Sequence, residues 1–212
     1  MESTRVIAVR HGETAWNVDT RIQGQLDIEL NDTGLWQARR VAQALVEEPI
    51  AAIYASDLAR AWQTAEAIAG PHGISITADP GLRERAFGTF EGRTFADIDA
   101  ESPEEARLWR TRDPEFAPEG GESLLTFRDR VTGTADRIAA RHPGELVVMV
   151  AHGGVMDVLY RHATGQELQA PRTWNLGNAA INRLLWTPQG FTLVGWADTA
   201  HLSGGVLDEA TA

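Results

Sequence analysis

The stretch Val6-Ile7-Ala8-Val9-Arg10-His11-Gly12-Glu13-Thr14 joins a short apolar run to a polar turn. The apolar run contains β-branched residues and predicts a buried strand. Gly12 lets the backbone turn sharply, so Arg10 and His11 should lie at the strand's carboxyl end, where open α/β sheets place ligand sites. A neutral imidazole is a nucleophile, and a guanidinium binds phosphate through its planar fork. The stretch therefore indicates phosphoryl chemistry, although so short a string needs support from the rest of the chain.

The composition is that of an ordinary globular chain. Its 212 residues are 43% apolar and 23% charged, which predicts one soluble domain over residues 1–212. There is no cysteine, which excludes disulfides and thiolate metal sites and fits a reducing compartment. The first residues lack the features of a signal peptide, so we expect a cytoplasmic protein.

The charge of the chain limits its partners. A net charge of −11 argues against nucleic acid and against an anionic membrane surface. The longest apolar run, 146–151, is too short to span a bilayer. If the protein binds a small anion, a local cluster of positive groups must hold it.

The first half of the chain alternates between strand and helix patterns. This alternation is typical of a parallel sheet with helical crossovers. The predicted elements are a strand at 6–9, a polar loop at 15–30, a helix from Asn31 or Asp32, a strand at 51–55, a helix capped by Ser56-Asp57 and stopped by Gly70-Pro71, and a strand at 74–77.

The second half predicts a helical insertion and then a return to the sheet. We expect an α/β fold, a three-layer sandwich with a mostly parallel central sheet, helices on both faces, and a small insertion at about 85–121 over the active site. The later elements are a helix at 122–142, a buried strand at 145–151, a helix at 155–163, an edge hairpin of 179–186 with 191–196, and a loosely ordered polar tail from Asp198.

A second histidine also precedes a glycine after a predicted strand. His11 and His152 would face one pocket if their two strands are neighbours in the sheet. On the residues alone, His152 is equally well explained as a hydrogen-bonded side chain filling space. A metal site with Glu84 is another alternative, but no His-Glu-x-x-His spacing supports it, and neither a Walker loop nor a Gly-x-Ser-x-Gly elbow is present. Arg60, in the first turn of its helix, would strengthen an anion site or stand in solvent.

Five groups of residues form an ordered series along the chain. They are Arg10-His11-Gly12-Glu13; Ser56-Asp57-Leu58 with Arg60-Ala61 and Thr64-Ala65; Leu82-Arg83-Glu84; Phe87-Gly88 with Phe90-Glu91-Gly92; and Ala151-His152-Gly153-Gly154. This series resembles the histidine phosphatase superfamily, in its phosphoglycerate-mutase-like branch, from Val6 to about His201. Asn17 and Gln23-Gly24 resemble the phosphate and substrate loop of that branch, and residues 198–202 resemble its tail.

The resemblance implies a role for each site residue. His11 would accept the phosphoryl group as a phosphohistidine, with its other ring nitrogen donating to a fixed acceptor such as a backbone carbonyl. Glu84 would act as general acid and then as general base. The phosphoryl oxygens would be held by Arg10, Asn17, Arg60, His152 and Gly153, with Gln23 and Gly24 on the substrate side. No metal is needed in this chemistry, because the arginines supply positive charge.

Three activities are compatible with the resemblance. We favour a phosphatase acting on small phosphomonoesters, because the insertion between Glu84 and His152 is compact and would admit water. The alternative is a cofactor-dependent phosphoglycerate mutase, which the Gln23-Gly24 loop and the tail favour; a bisphosphoglycerate primer would be its only cofactor. A catalytically weak binding or regulatory module is disfavoured, since every expected catalytic position is filled.

The sequence leaves the substrate open beyond a small phosphorylated metabolite. Arg21, Arg83 and Arg85 would each suit a substrate carboxylate or stand in solvent. Trp16 and Phe87 would line an apolar side of the pocket or pack in the core. Seven tryptophans favour an apolar surface that a homodimer would cover, although the oligomeric state cannot be derived from the sequence.

Overall fold

A computed structural model describes residues 2–203, in which strands and helices alternate along most of the chain. The strands are β1 (Thr4–Arg10), β2 (Ile50–Ala55), β3 (Ile76–Ala78), β4 (Leu146–Ala151), β5 (Ile181–Thr187) and β6 (Gly190–Asp198). The α-helices are α1 (Ala15–Val18), α2 (Asp32–Leu45), α3 (Ala59–His72), α4 (Phe95–Glu101), α5 (Pro103–Arg110), α6 (Leu124–Ala139) and α7 (Gly153–Thr164). None of the helices in this part of the chain is long and apolar enough to cross a membrane.

The strands form one sheet in the order β3-β2-β4-β1-β5-β6. The pairs β3–β2, β2–β4 and β4–β1 are parallel, whereas the β5–β6 hairpin adds antiparallel strands beside β1. The predicted α/β class with a mostly parallel sheet is confirmed. Since β1 and β4 are neighbours, the turns that follow them, at His11 and His152, lie side by side.

Alternate residues of the central strands face two separate cores. Val6 and Ala8 pack with apolar residues of α6 and α7, such as Val131. Ile7 and Val9 pack on the opposite face with apolar residues of α2 and α3. Successive residues of a strand point to opposite faces of the sheet. Because helices cover both faces, all of these residues are apolar, and each strand appears in the sequence as a continuous apolar run.

The predicted start and end of α3 are both wrong. Leu58, rather than Ser56-Asp57, is the N-cap of α3, because the side chains of Ser56 and Asp57 bind other groups. The same helix passes Gly70-Pro71 and ends only at Gly73, whose φ of 63° is in the left-handed region typical of helix ends.

Two further segments differ from the predictions. The loop predicted at 15–30 begins with the short helix α1, which a Thr14–Asn17 capping box starts. The helix predicted at 155–163 begins at Gly153, with His152 as its N-cap.

The segment between β3 and α6 carries α4 and α5 and has a small aromatic core. Phe90, Ile98 and Ala106 are buried there. The Trp109 ring stacks on Phe87 and on Phe90, with centroid distances of 5.1 and 5.2 Å. This packing places α5 beside the carboxyl end of the sheet.

The polar tail begins as regular structure. Asp198 ends β6, and residues 200–202 form a 3-10 helix whose Leu202 packs against the core. The rest of the predicted tail lies outside the described residues.

Candidate active site

His11 lies in the turn after β1 with its ring almost fully buried. Its Nδ1–H donates to the carbonyl oxygen of Gly12 at 2.6 Å. This bond fixes the tautomer, so Nε2 keeps the lone pair that a nucleophile needs. A backbone carbonyl therefore supplies the fixed acceptor that the resemblance implies.

His152 faces His11 across the ends of β4 and β1, with ring centroids 5.2 Å apart. Its Nε2 lies 2.8 Å from the hydroxyl oxygen of Ser56, which also accepts the N–H of Leu58 at 3.3 Å. The hydroxyl proton of Ser56 has no other acceptor among residues 2–203, so we assign it to Nε2. The ring hydrogen of a neutral His152 is then on Nδ1, which is buried and has no acceptor among residues 2–203.

Burial and nearby arginines keep both imidazoles neutral. The pKa of His11 is well below its usual range because the ring is desolvated and because Arg10 and Arg60 add positive charge. Burial likewise lowers the pKa of His152, and the charge of Arg60 adds to the effect. A neutral His11 is a nucleophile, and a neutral His152 is a hydrogen-bond donor.

Two arginine head groups are anchored to backbone carbonyls beside these rings. Arg60 donates to the carbonyl oxygens of Leu26 at 2.8 Å and Gly24 at 2.7 Å. Its burial lowers its pKa to about 10. Arg10 donates to the carbonyl oxygen of Leu176. In each case Nε–H is buried and has no acceptor in the described part of the chain.

Asn17 is oriented by a network in which its side-chain oxygen is the acceptor. That oxygen receives hydrogen bonds from the backbone and hydroxyl of Thr14, each at 3.1 Å, and from Asn178 at 3.2 Å. The same Asn178 amide donates to the carbonyl oxygens of His11 and Gly12 at 3.1 and 3.2 Å. Asn17 lines the cavity beside His11, and its NH2 group remains as a donor.

Glu84 is held by two backbone donors at the edge of the site. Its carboxylate accepts the N–H of Arg85 and the N–H of Gly154, both at 2.9 Å. A Cβ on Gly154 would come within 2.2 Å of Oε1, so the glycine allows this close approach. The charge of Glu84 also raises the pKa of Arg10 and Arg60, against the larger effect of their burial.

The other predicted binding residues, Gln23, Gly24 and Gly153, contribute to the site in different ways. Gln23 is buried and lines the cavity with its side-chain oxygen unpaired among residues 2–203. Gly24 acts through its carbonyl, which holds Arg60. Gly153 begins α7, and a Cβ there would lie 3.3 Å from the Nε of Arg10. The absence of a side chain at Gly153 therefore lets Arg10 lie against α7.

These side chains surround a cavity of about 170 Å³, which is lined by Arg10, His11, Asn17, Arg21, Ile22, Gln23, Gly24, Arg60, Glu84, Phe87 and Trp109. Within the described residues, no group of three histidine, aspartate or glutamate side chains is arranged to hold a metal ion.

The three arginines that the sequence suggests for binding a substrate carboxylate do not all lie at the site. Arg83 is paired with Asp57 through two bonds of 2.7 and 2.6 Å, and it lines neither cavity at the site. Arg21 lines the small cavity and donates to the carbonyl of Gly92. Arg85 is buried and lines an adjoining larger cavity, where it donates to two backbone carbonyls.

The two aromatic candidates also differ. Phe87 lines both cavities, whereas Trp16 packs near Gly92, 3.5 Å from where a Cβ would stand.

Several residues at the site carry no signal that sequence reasoning recognises. Ser56 was assigned to a helix cap, and no signal in a single sequence separates a capping hydroxyl from one that binds a histidine. Asn178, and Arg112 and Arg172 in the wall of the larger cavity, lie in segments without periodicity, so no pattern points to them. Trp109 lies in a predicted helical segment, where an aromatic residue is equally well explained by packing in the core.

A buried neutral histidine, flanked by a second histidine, two arginines and a carboxylic acid, defines a phosphoryl-transfer enzyme with a histidine nucleophile. Comparison with known proteins agrees: the model of the histidine phosphatase superfamily (branch 1) matches residues 6–199, and the chain belongs to that family. It is an enzyme of this superfamily, whose chemistry proceeds through a phosphohistidine.

Individual relatives include both phosphatases and mutase-like proteins. The chain is 38% identical over 206 residues to phosphoglycerate mutase-like protein 4 of Arabidopsis thaliana, covering 95% of this chain and 88% of that protein. It is 38% identical over 208 residues to a metal-independent phosphoserine phosphatase of the same plant, covering 95% and 84%. A mycobacterial glucosyl-3-phosphoglycerate phosphatase has a similar structure, with a TM-score of 0.82 and 32% identity over 93% of this chain and 100% of that one.

Proposed function

We propose that this protein is a phosphatase that hydrolyses small phosphomonoesters through a phosphohistidine on His11. The observation that carries the proposal is a set of three buried nitrogens around that ring without partners among residues 2–203: Nε of Arg10, Nε of Arg60, and Nδ1 of His152, to which we assign the ring hydrogen. A buried donor without a partner costs free energy. A phosphoryl group supplies acceptor oxygens for all three, and its charge matches the two guanidiniums.

The first step forms the phosphohistidine. His11 Nε2 attacks phosphorus, and the bond from phosphorus to the leaving oxygen breaks. Arg10, Arg60, His152 and the Asn17 amide stabilise the charge on the phosphoryl oxygens as it redistributes. Glu84, in its protonated form, gives its proton to the leaving oxygen, so the product departs as an alcohol.

The second step releases phosphate. Glu84, now a carboxylate, takes a proton from a water molecule, and the water oxygen attacks phosphorus. The bond between phosphorus and Nε2 breaks, which returns His11 to its neutral form and leaves Glu84 protonated for the next cycle. The arginines supply the positive charge that this chemistry needs, so we propose that it uses neither metal nor cofactor.

We favour hydrolysis over mutase activity because of the segment between Glu84 and α6. It contains two short helices, α4 and α5, and leaves a cavity of about 470 Å³ beside the phosphoryl site. Such an arrangement gives water a route to the phosphohistidine. A mutase must exclude water until its acceptor hydroxyl binds, and it would need a bisphosphoglycerate primer.

The test is a phosphate-release assay on a panel of phosphomonoesters that includes phosphoserine and 3-phosphoglycerate, with formation of 2-phosphoglycerate followed in the same samples. We expect release that persists with EDTA and is lost in His11→Ala. Interconversion of phosphoglycerates that outruns release would make the protein a mutase. Absence of both activities in the wild type would overturn the enzymatic proposal and leave a binding module.

A further inference from the structure

A second cavity, of about 470 Å³, opens directly from the phosphoryl site. The two cavities share the side chains of Arg10, Glu84, Phe87 and Trp109 in their walls. Under the proposed function, on which this inference rests, Glu84 gives its proton to the leaving oxygen. The larger cavity, which begins at Glu84, is therefore where the leaving group lies.

The volume of this cavity exceeds what a three-carbon acid requires. It corresponds to about 16 water molecules at roughly 30 Å³ each, and it falls in the range of pockets that hold drug-sized ligands. A glycerate or serine leaving group would fill only a small part of this volume, so the cavity fits a bulkier leaving group.

Aromatic rings form part of the wall of this cavity, beside its charged and polar groups. Trp109 stacks on Phe87 and on Phe90, and Trp174 stacks on Tyr160 with a centroid distance of 4.0 Å. Phe87 and Phe127 complete the four aromatic rings of the lining. Aromatic walls whose orientation is set by their own packing favour a ligand with a flat or apolar body.

The charge of the cavity is positive although the protein is acidic. Its charged lining residues are Arg10, Arg85, Arg112 and Arg172 against Glu84 and Asp157. Asp157 is already used by Arg112 at 2.7 Å and by Arg161 at 3.0 Å. Arg172 is exposed and makes no ion pair with any residue between 2 and 203.

We propose that the native substrate is a phosphomonoester whose leaving group combines a flat or apolar body with a carboxylate that binds Arg172. The guanidinium of Arg172 lies at the wall of the same cavity as Glu84, so one leaving group can contact both. The aromatic rings bind its body, and Arg172 determines the specificity for its charge.

The experiment compares phenyl phosphate with 4-carboxyphenyl phosphate, which differ only in the carboxylate, and adds 3-phosphoglycerate as a small acid. We expect kcat/KM for the carboxylated ester to exceed that for phenyl phosphate by about five-fold, through KM, as for a solvent-exposed ion pair. In Arg172→Gln the ratio of the two esters should fall to near one, and Arg172→Lys should restore part of it. Arg141→Gln removes a charge from the exposed end of the chain after α6 and should keep the ratio.

The outcomes separate this inference from the proposed function. Hydrolysis of phenyl phosphate with no gain from the carboxylate, or a ratio unchanged in Arg172→Gln, overturns the inference and leaves the phosphatase proposal standing. A higher kcat/KM for 3-phosphoglycerate than for both aryl esters also overturns it. Hydrolysis of none of the three esters counts against the phosphatase itself, and the inference is lost with it.

Discussion

At the scale of single residues, the site depends on the proton positions of two buried imidazoles. His11 donates from Nδ1 to the Gly12 carbonyl, and its pKa is lowered by burial and by two arginines. We expect the ring to remain neutral as the pH falls below 6.5, where a histidine in an unfolded chain becomes protonated. The nucleophile then stays competent on the acid side of that value.

The charge state of the His11 ring would be measured from its ¹⁵N chemical shifts between pH 7.5 and 5.5. The predicted result is one neutral tautomer throughout, with hydrogen on Nδ1. The urea-unfolded protein is the control and should titrate near 6.5. Protonation of His11 in the folded protein with a midpoint near that value would contradict the assignment.

Ser56 is a positioning residue that acts through His152. In Ser56→Ala the donor to Nε2 is lost, the hydrogen is free to move from Nδ1 to Nε2, and one donor to the phosphoryl group disappears. We expect kcat to fall about 100-fold, at the lower end of the range for loss of one transition-state donor. The Ser56→Thr variant keeps the hydroxyl and should retain most of the activity.

A purely structural role for Ser56 would have a different effect. It would lower stability in the alanine variant without changing the tautomer of His152. Ring ¹⁵N shifts of His152 that still place the hydrogen on Nδ1 in Ser56→Ala would therefore contradict the positioning role.

At the scale of elements, the turn after β1 packs against the start of α2 backbone to backbone. A Cβ on Gly34 would come within 2.1 Å of the carbonyl oxygen of Glu13. We expect Gly34→Ala to destabilise the protein by about 1–3 kcal/mol, as overpacking does, and to move the His11 turn. Chemical denaturation and kcat would be measured together.

Gly133 supplies the matched control. It lies inside α6, and a Cβ there would meet no atom within 4 Å. Gly133→Ala should stabilise the protein by about 0.5–1 kcal/mol through helix propensity alone. Similar effects of the two substitutions would show that the turn does not depend on contact with α2.

The elements also show where inference from sequence succeeds. The strand β1 and the helix α2 were predicted closely because apolar periodicity and the Asn31 cap are local signals. The proximity of His11 and His152 followed from their positions at the ends of two strands that prove to be neighbours. Local patterns of this kind are enough to predict the fold class and the pairing of the two histidines.

The start of α3 shows where such inference fails. Ser56 and Asp57 have the sequence of a cap, but their side chains bind His152 and Arg83. Those partners are 96 and 26 residues away along the chain, so no local pattern reveals them. Tertiary contacts of this kind override the local preference, and the same reason hides Asn178 and Arg172.

At the scale of the whole molecule, an acidic chain contains a cationic pocket whose buried donors lack partners within residues 2–203. Inorganic phosphate should bind there and stabilise the folded state, by about 2.7 kcal/mol at a concentration 100 times its Kd. For a chain of this size the melting temperature should rise by about 5–10 °C. The increase should be smaller in Arg60→Met, which loses one of the donors.

The control for this prediction is Arg141→Met, which removes an exposed charge outside both cavities of the site. Differential scanning fluorimetry with phosphate and with chloride at equal ionic strength would separate binding from screening. An equal phosphate-dependent increase in Arg60→Met and in Arg141→Met would show that phosphate binds somewhere else.

Trapping the phosphorylated intermediate would show whether His11 carries the phosphoryl group. The enzyme would be mixed with a hydrolysed phosphomonoester, quenched in alkali within milliseconds, digested and analysed by mass spectrometry. We expect an acid-labile, alkali-stable phosphoryl group on the peptide that contains His11, and its absence in His11→Gln. Turnover of the ester without that adduct, or an adduct on another residue that persists in His11→Gln, would contradict it.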